Sequence, residues 1–293
     1  EVLVPANTYI ATWLAVSSVG AVPIPVEPDP NTYNINPSLI HDLITPRTAA
    51  IIPVHLYGYP ADLNSIISIA REHSLFVIED AAQSHGAKYH GSRIGAHGDI
   101  VCWSFYPGKN LGAFGDAGAI TTNNPYLADK VQLLRNYGSR KKYYNEVIGR
   151  NSRLDPIQAA VLRIKLKYLD IWNVRRNKIS LAYRDILENS LLLAPKPLPG
   201  FNHSWHQFVV ASNYRDEFQK FLTNAGIGSL IHYPVPPHLQ SCYQHEYRKF
   251  HLPITERLAK EVISLPIYPH LSAEHLQYIK MIIIQFLDSF VHE

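Results

Sequence analysis

The sequence predicts an α/β protein: a mostly parallel sheet in a large first domain, followed by a smaller α+β domain. Three observations carry this. Short apolar runs alternate with helical patterns between residues 2 and 105. A long helical stretch comes later and ends at a proline-rich break, Pro195, Pro197 and Pro199. Beyond the break, strand and helix patterns mix without the earlier alternation.

In chain order the strand-like runs are residues 2–4, 21–26, 49–54, 75–79 and 100–105. Helix-like stretches lie between them at 9–18, 38–44 and 63–73, and in the last Leu63, Ile66, Ile67 and Ala70 recur at helical spacing. Pro37 and Asp62 are start signals for the second and third. Strand–helix–strand units of this length imply parallel strands covered on both faces, with ligands beyond the strands' carboxyl ends. Residues 155–189 read as strongly helical. After the break come a strand (206–210), a helix (217–225), a strand (228–232), a loop with Pro234, Pro236 and Pro237, and helices near 255–263 and 273–290. The expected division is a large domain at 1–166, a connecting helix at 167–194 and a small domain at 195–293.

Composition narrows the class. The 293 residues are 46% hydrophobic and 17% charged, which excludes a disordered tail, a collagen-like repeat and a coiled coil. A net charge of +3 is too slight to argue for nucleic acid. Cys102 and Cys242 are too few for a disulfide framework or a zinc knuckle, and no metal is expected. No apolar run approaches the roughly 20 residues of a membrane span, and no signal-peptide pattern opens the chain. A cytoplasmic protein without a membrane partner is expected. The chain opens at Glu1, directly on a strand, so upstream sequence is expected to be missing.

Two segments carry chemistry. In "FVIEDAAQSHGA" a buried strand ends in Glu79-Asp80, and Gln83 follows two alanines. Such a carboxylate points into the ligand crevice, or else caps a helix. In "CWSFYPGKNLGAFGDAGAI" a strand ends in Ser104, and Lys109 lies among Trp103, Phe105, Tyr106, Phe114 and glycines. A lysine in a glycine-rich loop is ordinarily solvated, but aromatic neighbours desolvate this one, lowering its pKa and freeing the amine as a nucleophile. Asn110 follows Lys109, which excludes a P-loop. Together the segments suggest pyridoxal phosphate chemistry: a carboxylate for the pyridine nitrogen, a Schiff-base lysine and a hydroxyl for the phosphate.

Seven ordered blocks then resemble the DegT/DnrJ/EryC1/StrS family, fold-type I aminotransferases acting on nucleotide-linked keto sugars. They are "VPANTYIATWLAVSSVGA", "PVHLYGYPAD", "VIEDAAQSHGA", "SFYPGKNLGAFGDAGAI", "RNYGSR", "RNSRLDPIQAAVL" and "IHYPVPPHLQ". The resemblance implies that Lys109 is the Schiff-base lysine, that Asp80 pairs with the pyridine nitrogen and that Gln83 bonds the ring's 3-oxygen. It likewise implies that Tyr9 stacks on the ring, that Ser104 binds the phosphate and that Asn151 reaches the phosphate site of the other subunit in a homodimer. His206, His232 and Tyr233 match positions near the sugar, and Arg153 is a candidate for the diphosphate. Read without the family, Tyr9 is a core tyrosine as readily as a stacking one, Asn151 a turn residue, and the last three ordinary strand residues.

The implied reaction moves an amino group from L-glutamate to a keto sugar through pyridoxamine phosphate, with ping-pong kinetics. The segments "RNYGSRKKYYNEVIGRNSRLD" and "HYPVPPHLQ" look most like the subgroup aminating C-3 of dTDP-3-keto-6-deoxyhexoses, for deoxyamino-sugar and polysaccharide (O-antigen) biosynthesis. C-4 amination is the alternative within the family, and a non-catalytic regulatory or scaffold protein the alternative outside it. A family dehydratase would carry histidine in place of Lys109. The family's Gly/Ser/Thr-rich turn before the "VPANT" strand has no counterpart here, so this chain is expected to hold the cofactor's phosphate weakly.

Overall fold

A computed structural model describes residues 1–289. Its central sheet contains β1 (Val2–Pro5), β2 (Pro23–Val26), β3 (Ala50–Ile51) and β4 (Phe76–Asp80), crossed by helices α1 (Ala11–Ser17) and α2 (Leu63–Glu72). A small ribbon, β5 (Lys88–Tyr89) and β6 (Ser92–Arg93), precedes β7 (Ile100–Ser104) and β8 (Gly118–Thr121). The strand order is β2-β1-β3-β4-β7-β8, parallel throughout except for β8, which returns antiparallel beside β7. Asp62 starts α2 by accepting from the Ser65 amide (3.4 Å) and hydroxyl (2.6 Å). The helix then buries Ile66 and Ile69 against Leu3, Ile51 and Val77 of the sheet.

The later elements are α3 (Pro125–Leu134), a hairpin of β9 (Ser139–Lys141) and β10 (Tyr144–Asn145), α4 (Pro156–Leu166), α5 (Leu169–Leu187), β11 (Phe201–Asn202) and β12 (Phe208–Ala211). They continue with α6 (Arg215–Asn224), α7 (Gln244–Tyr247), α8 (Pro253–Glu261), β13 (Val262–Leu265) and α9 (Ala273–Asp288). A second core forms where α5, α6 and α9 close over the antiparallel pair β12–β13, through Tyr183, Phe208, Phe218, Ile263 and Ile283. Glu27, just past β2, ties this half to the first: its carboxylate accepts from the Ile254 amide (2.8 Å) and the Thr255 amide (3.0 Å) at the start of α8. Among the described residues no helix is long and apolar enough to cross a membrane.

Several elements differ from the expectations. Residues 38–44 form two 3-10 turns, Pro37–Leu39 and His41–Leu43, because Asn36 Oδ1 captures the Ser38 amide and hydroxyl and the stretch is too short to propagate a helix. The run at 49–54 pairs regularly only at Ala50–Ile51, since Pro53 has no N–H for the ladder. The 155–189 stretch is two helices, broken where the Tyr168 N–H turns to Lys165 O three residues back. The expected strand at 228–232 is a single bridge, Leu230 to Ser264. The helix expected at 255–263 ends at Glu261, and the buried, β-branched Val262 and Ile263 begin β13, which pairs with β12 instead. The last helix ends at Asp288, and Phe290 lies outside the described residues.

Candidate active site

The carboxyl ends of β4 and β7 open into a cleft of about 740 Å³. Tyr9, Asp80, Gln83, Ser104, Lys109, His206, His232 and Tyr233 all line it. For Asp80 and Ser104 this follows from the topology, since parallel strands deliver their final residues to one edge, while His206, His232 and Tyr233 reach it from the second half of the chain. Asn151 and Arg153 do not reach it within one chain. Both are exposed; Asn151 bridges to Asn136, while Arg153 donates to Asn136 Oδ1 (3.1 Å) and lies over the Tyr137 ring.

Asp80 is the last residue of β4, and both its oxygens are fixed. Oδ2 accepts from the Thr12 hydroxyl (2.8 Å), and Oδ1 from the Ala82 amide (3.1 Å). Thr12 is buried on α1, and the hydroxyl of Thr8, in the bend before that helix, lies 3.1 Å from its own. One residue earlier, β4 turns Glu79 into the core. There the Ala61 amide donates to His55 Nδ1 (3.0 Å), so the ring proton sits on Nε2 and is donated to Glu79 Oε2 (2.9 Å). The Gly98 amide donates to the other carboxylate oxygen. Burial alone would raise the Glu79 pKa, but the His55 and Gly98 hydrogen bonds outweigh it and the carboxyl is held below 4.5.

Lys109 sits in the turn after β7, its amide donating to Tyr106 O (2.8 Å). Burial lowers its pKa from the ordinary 10.5, and the Asp80 carboxylate opposes that shift. The turn is tight: a Cβ on Gly112 would come within 2.4 Å of Pro107 O. Asn110 anchors the loop by donating to Ser204 O (2.8 Å) and Asn173 Oδ1 (3.0 Å), and its own Oδ1 meets His206 Nδ1 at 3.2 Å. Burial, followed by the positive charges of Lys109 and Arg176, keeps His206 far below its usual pKa.

Gln83 spans the cleft floor. Its Oε1 accepts from the Tyr57 amide (2.5 Å) and its Nε2 donates to Tyr233 Oη (3.0 Å). The Tyr57 hydroxyl in turn donates to His232 O, and His232 Nδ1 lies 2.8 Å from Ser264 Oγ. Tyr9 leaves its ring half open beside Tyr233, with centroids 5.4 Å apart. Ser104 Oγ accepts from the Tyr106 amide (3.3 Å). Buried Arg176 donates to Trp205 O (3.0 Å) and Ile267 O (2.8 Å), pinning the strand entry that carries His206; burial draws its pKa down to about 10.

Sequence reasoning missed Thr12, Tyr57, Asn110 and Arg176. Only the Thr8–Thr12 spacing in the "NTYIAT" block offered a local signal. The donor set fits pyridoxal phosphate: a fixed carboxylate, a desolvated amine, a carboxamide, a hydroxyl and an open aromatic face.

The chain matches the DegT/DnrJ/EryC1/StrS aminotransferase family over residues 1–283. It is 52% identical to the dTDP-3-amino-3,6-dideoxy-alpha-D-galactopyranose transaminase of Aneurinibacillus thermoaerophilus, over 94% of this chain and 76% of that one. It is 51% identical to the erythromycin biosynthesis sensory transduction protein EryC1 of Saccharopolyspora erythraea, over 95% of this chain and 77% of that one. The crystal structure of S. venezuelae DesV in complex with a ketimine intermediate superposes with a TM-score of 0.96 at 48% identity, covering 98% of this chain and 78% of that chain. With this fold and these matches, the chain belongs to the DegT/DnrJ/EryC1/StrS family and is a pyridoxal phosphate-dependent aminotransferase of nucleotide sugars.

Proposed function

We propose that the enzyme aminates C-3 of a dTDP-3-keto-6-deoxyhexose with L-glutamate as donor, using Lys109 as its base. The observation that carries the reading is the pairing of a desolvated Lys109 amine with the Asp80 carboxylate in one cleft. A relative at 52% identity that bears a dTDP-3-amino-sugar name supports C-3 and dTDP.

Pyridoxal phosphate, when bound, supplies the electron sink that stabilises negative charge on the donor's Cα. Asp80 would hold the proton on its pyridine nitrogen, Gln83 would bond the 3-oxygen, Tyr9 would cover the ring and Ser104 would bind the phosphate. Lys109 would hold the cofactor covalently at rest. Once displaced, its amine would carry a proton between the donor's Cα and the cofactor's C4′, help typically worth about 10²–10⁴-fold. His206, His232 and Tyr233 would face the sugar. Asn151 and Arg153, exposed and outside their own cleft, would serve the phosphate and diphosphate of the opposite subunit in a homodimer. We assign residues 1–166 to the cofactor domain, 167–194 to the connection and 195–293 to the small domain. We place the enzyme in the cytoplasm, in keeping with two free cysteines.

The test is incubation of the cofactor-loaded enzyme with glutamate and a panel of keto sugars: dTDP-3-keto, dTDP-4-keto and UDP-linked 3-keto. Mass spectrometry should show the amino product with dTDP-3-keto-6-deoxyhexose. Amination of the 4-keto sugar alone would replace this reading with C-4 chemistry.

A further inference from the structure

At the far edge of the sheet from the cleft, α2 ends in Glu72 and is capped by His73, and the turn His41–Leu43 brings His41 against it. We propose that His41, Glu72 and His73 form a site for a divalent transition-metal ion of the zinc class. One ligand atom from each of the three lies within 4.8 Å of the others, and all three residues are exposed.

The histidine geometry is the main argument. His73 Nε2 and His41 Nδ1 stand 3.3 Å apart, with their rings edge to face. Two zinc–nitrogen bonds of about 2.0–2.1 Å meeting at a tetrahedral angle place their nitrogens about 3.3–3.4 Å apart, so the pair already has the bite of a chelate. An N–H···N contact at this length would be a weak hydrogen bond. Glu72 offers a carboxylate oxygen within 4.8 Å of a ring nitrogen of each histidine, and exposure leaves a fourth position for water. Two imidazoles and a carboxylate suit zinc, nickel or copper and not magnesium or calcium. The helix contributes as well, since the free carbonyls of its last turn present partial negative charge to a cation.

The site is structural by position. α2 runs antiparallel to the strands, so its C-terminus lies at their amino edge while the cleft lies at their carboxyl edge. An ion here would staple the turn at residues 37–43 to α2 across 32 residues of chain, closing a loop that must otherwise be ordered by packing.

The experiment titrates the chelator-washed holoenzyme with ZnCl2 by calorimetry and with CoCl2 by visible absorption. The wild type should bind one Zn2+ per chain at this site, give the d–d bands of tetrahedral Co2+, and melt at a higher temperature with zinc. The double variant H41A/H73A should keep its metal-free melting temperature and its transaminase activity, lose the cobalt bands and bind zinc at least tenfold more weakly. Glu72→Gln should give an intermediate loss. Undiminished zinc affinity and cobalt bands in the double variant would overturn the assignment, as would the absence of any Zn2+-dependent melting shift in the wild type.

Discussion

The Thr12 hydroxyl donates to Asp80 Oδ2 at 2.8 Å, joining the first helix of the sheet domain to the carboxylate at the end of its central strand. Thr12 is buried and Thr8 backs it, so the Asp80 carboxylate is held in one orientation before any ligand arrives. A fixed carboxylate need not be reoriented on binding, and hydrogen bonds to a charged group contribute about 1.5–3 kcal/mol.

Thr12→Val should therefore weaken pyridoxal phosphate binding by about ten- to a hundredfold. Absorbance titration of the apoenzyme measures this. Thr12→Ser, which restores the hydroxyl, should recover most of the affinity; equal affinity of wild type and Thr12→Val would remove Thr12 from the account.

Lys109 should be the lysine that reacts at unusually low pH. Its pKa is lowered by burial, so its free-base fraction at a given pH exceeds that of a lysine at 10.5. Competitive acylation of the apoenzyme over pH 7–10, read peptide by peptide, should place its half-reaction below that of the surface lysines. The sign for stability follows. A depressed lysine pKa disfavours folding where the folded protein must carry the charge, and this penalty is relieved as pH rises from the folded pKa to the unfolded value near 10.5. Lys109→Met should flatten that rise, and a labelling midpoint equal to that of the surface lysines would contradict the burial argument.

Acid stability should rest in part on Glu79. Its pKa is held below 4.5 in the folded protein, so the stabilisation is fully present above the unfolded value and is lost as pH falls through the folded one. Glu79→Gln should lower stability at neutral pH and lose less on acidification than wild type does. Urea melts from pH 7 down to about pH 3 test this; parallel losses in both proteins would reject it.

The parallel strands of the first sheet and the two chemical segments were legible because their signals are local. "FVIED" is an apolar run ending in carboxylates, and Lys109 sits among aromatics and glycines within its own loop. What escaped depends on tertiary partners. Val262 and Ile263 read as the end of a helix until β12 lies beside them. Arg176 looks like an exposed helix residue, yet its guanidinium is buried against the carbonyls of Trp205 and Ile267, far along the chain. Thr12 reads as one more polar residue on a short helix, and only the fold brings Asp80, 68 positions later, to its hydroxyl. Asn151 and Arg153 were singled out through the family resemblance, and neither lines the cleft of its own chain.

Gln83→Leu should cost stability as well as activity. It leaves the buried Tyr57 amide without its acceptor and Tyr233 without its donor, a loss of about 1–3 kcal/mol. Thermal melts should show a fall of several degrees, and an unchanged melting temperature would mean that other partners satisfy both groups.

Mixing Asn151→Ala with Lys109→Ala tests the shared site. If Asn151 serves the opposite subunit, a mixed dimer has one site with both defects and one with neither, so refolded mixtures should regain activity that neither parent shows. No recovery would place Asn151 in its own subunit's chemistry or outside it.

Whether Lys109 is the amine that holds the cofactor is decided by borohydride reduction of the pyridoxal phosphate-loaded enzyme followed by peptide mass spectrometry. One reduced phosphopyridoxyl adduct is expected, on the Lys109 peptide, and none in Lys109→Ala. An adduct on another lysine, or a loaded wild-type enzyme that yields none, would contradict this assignment.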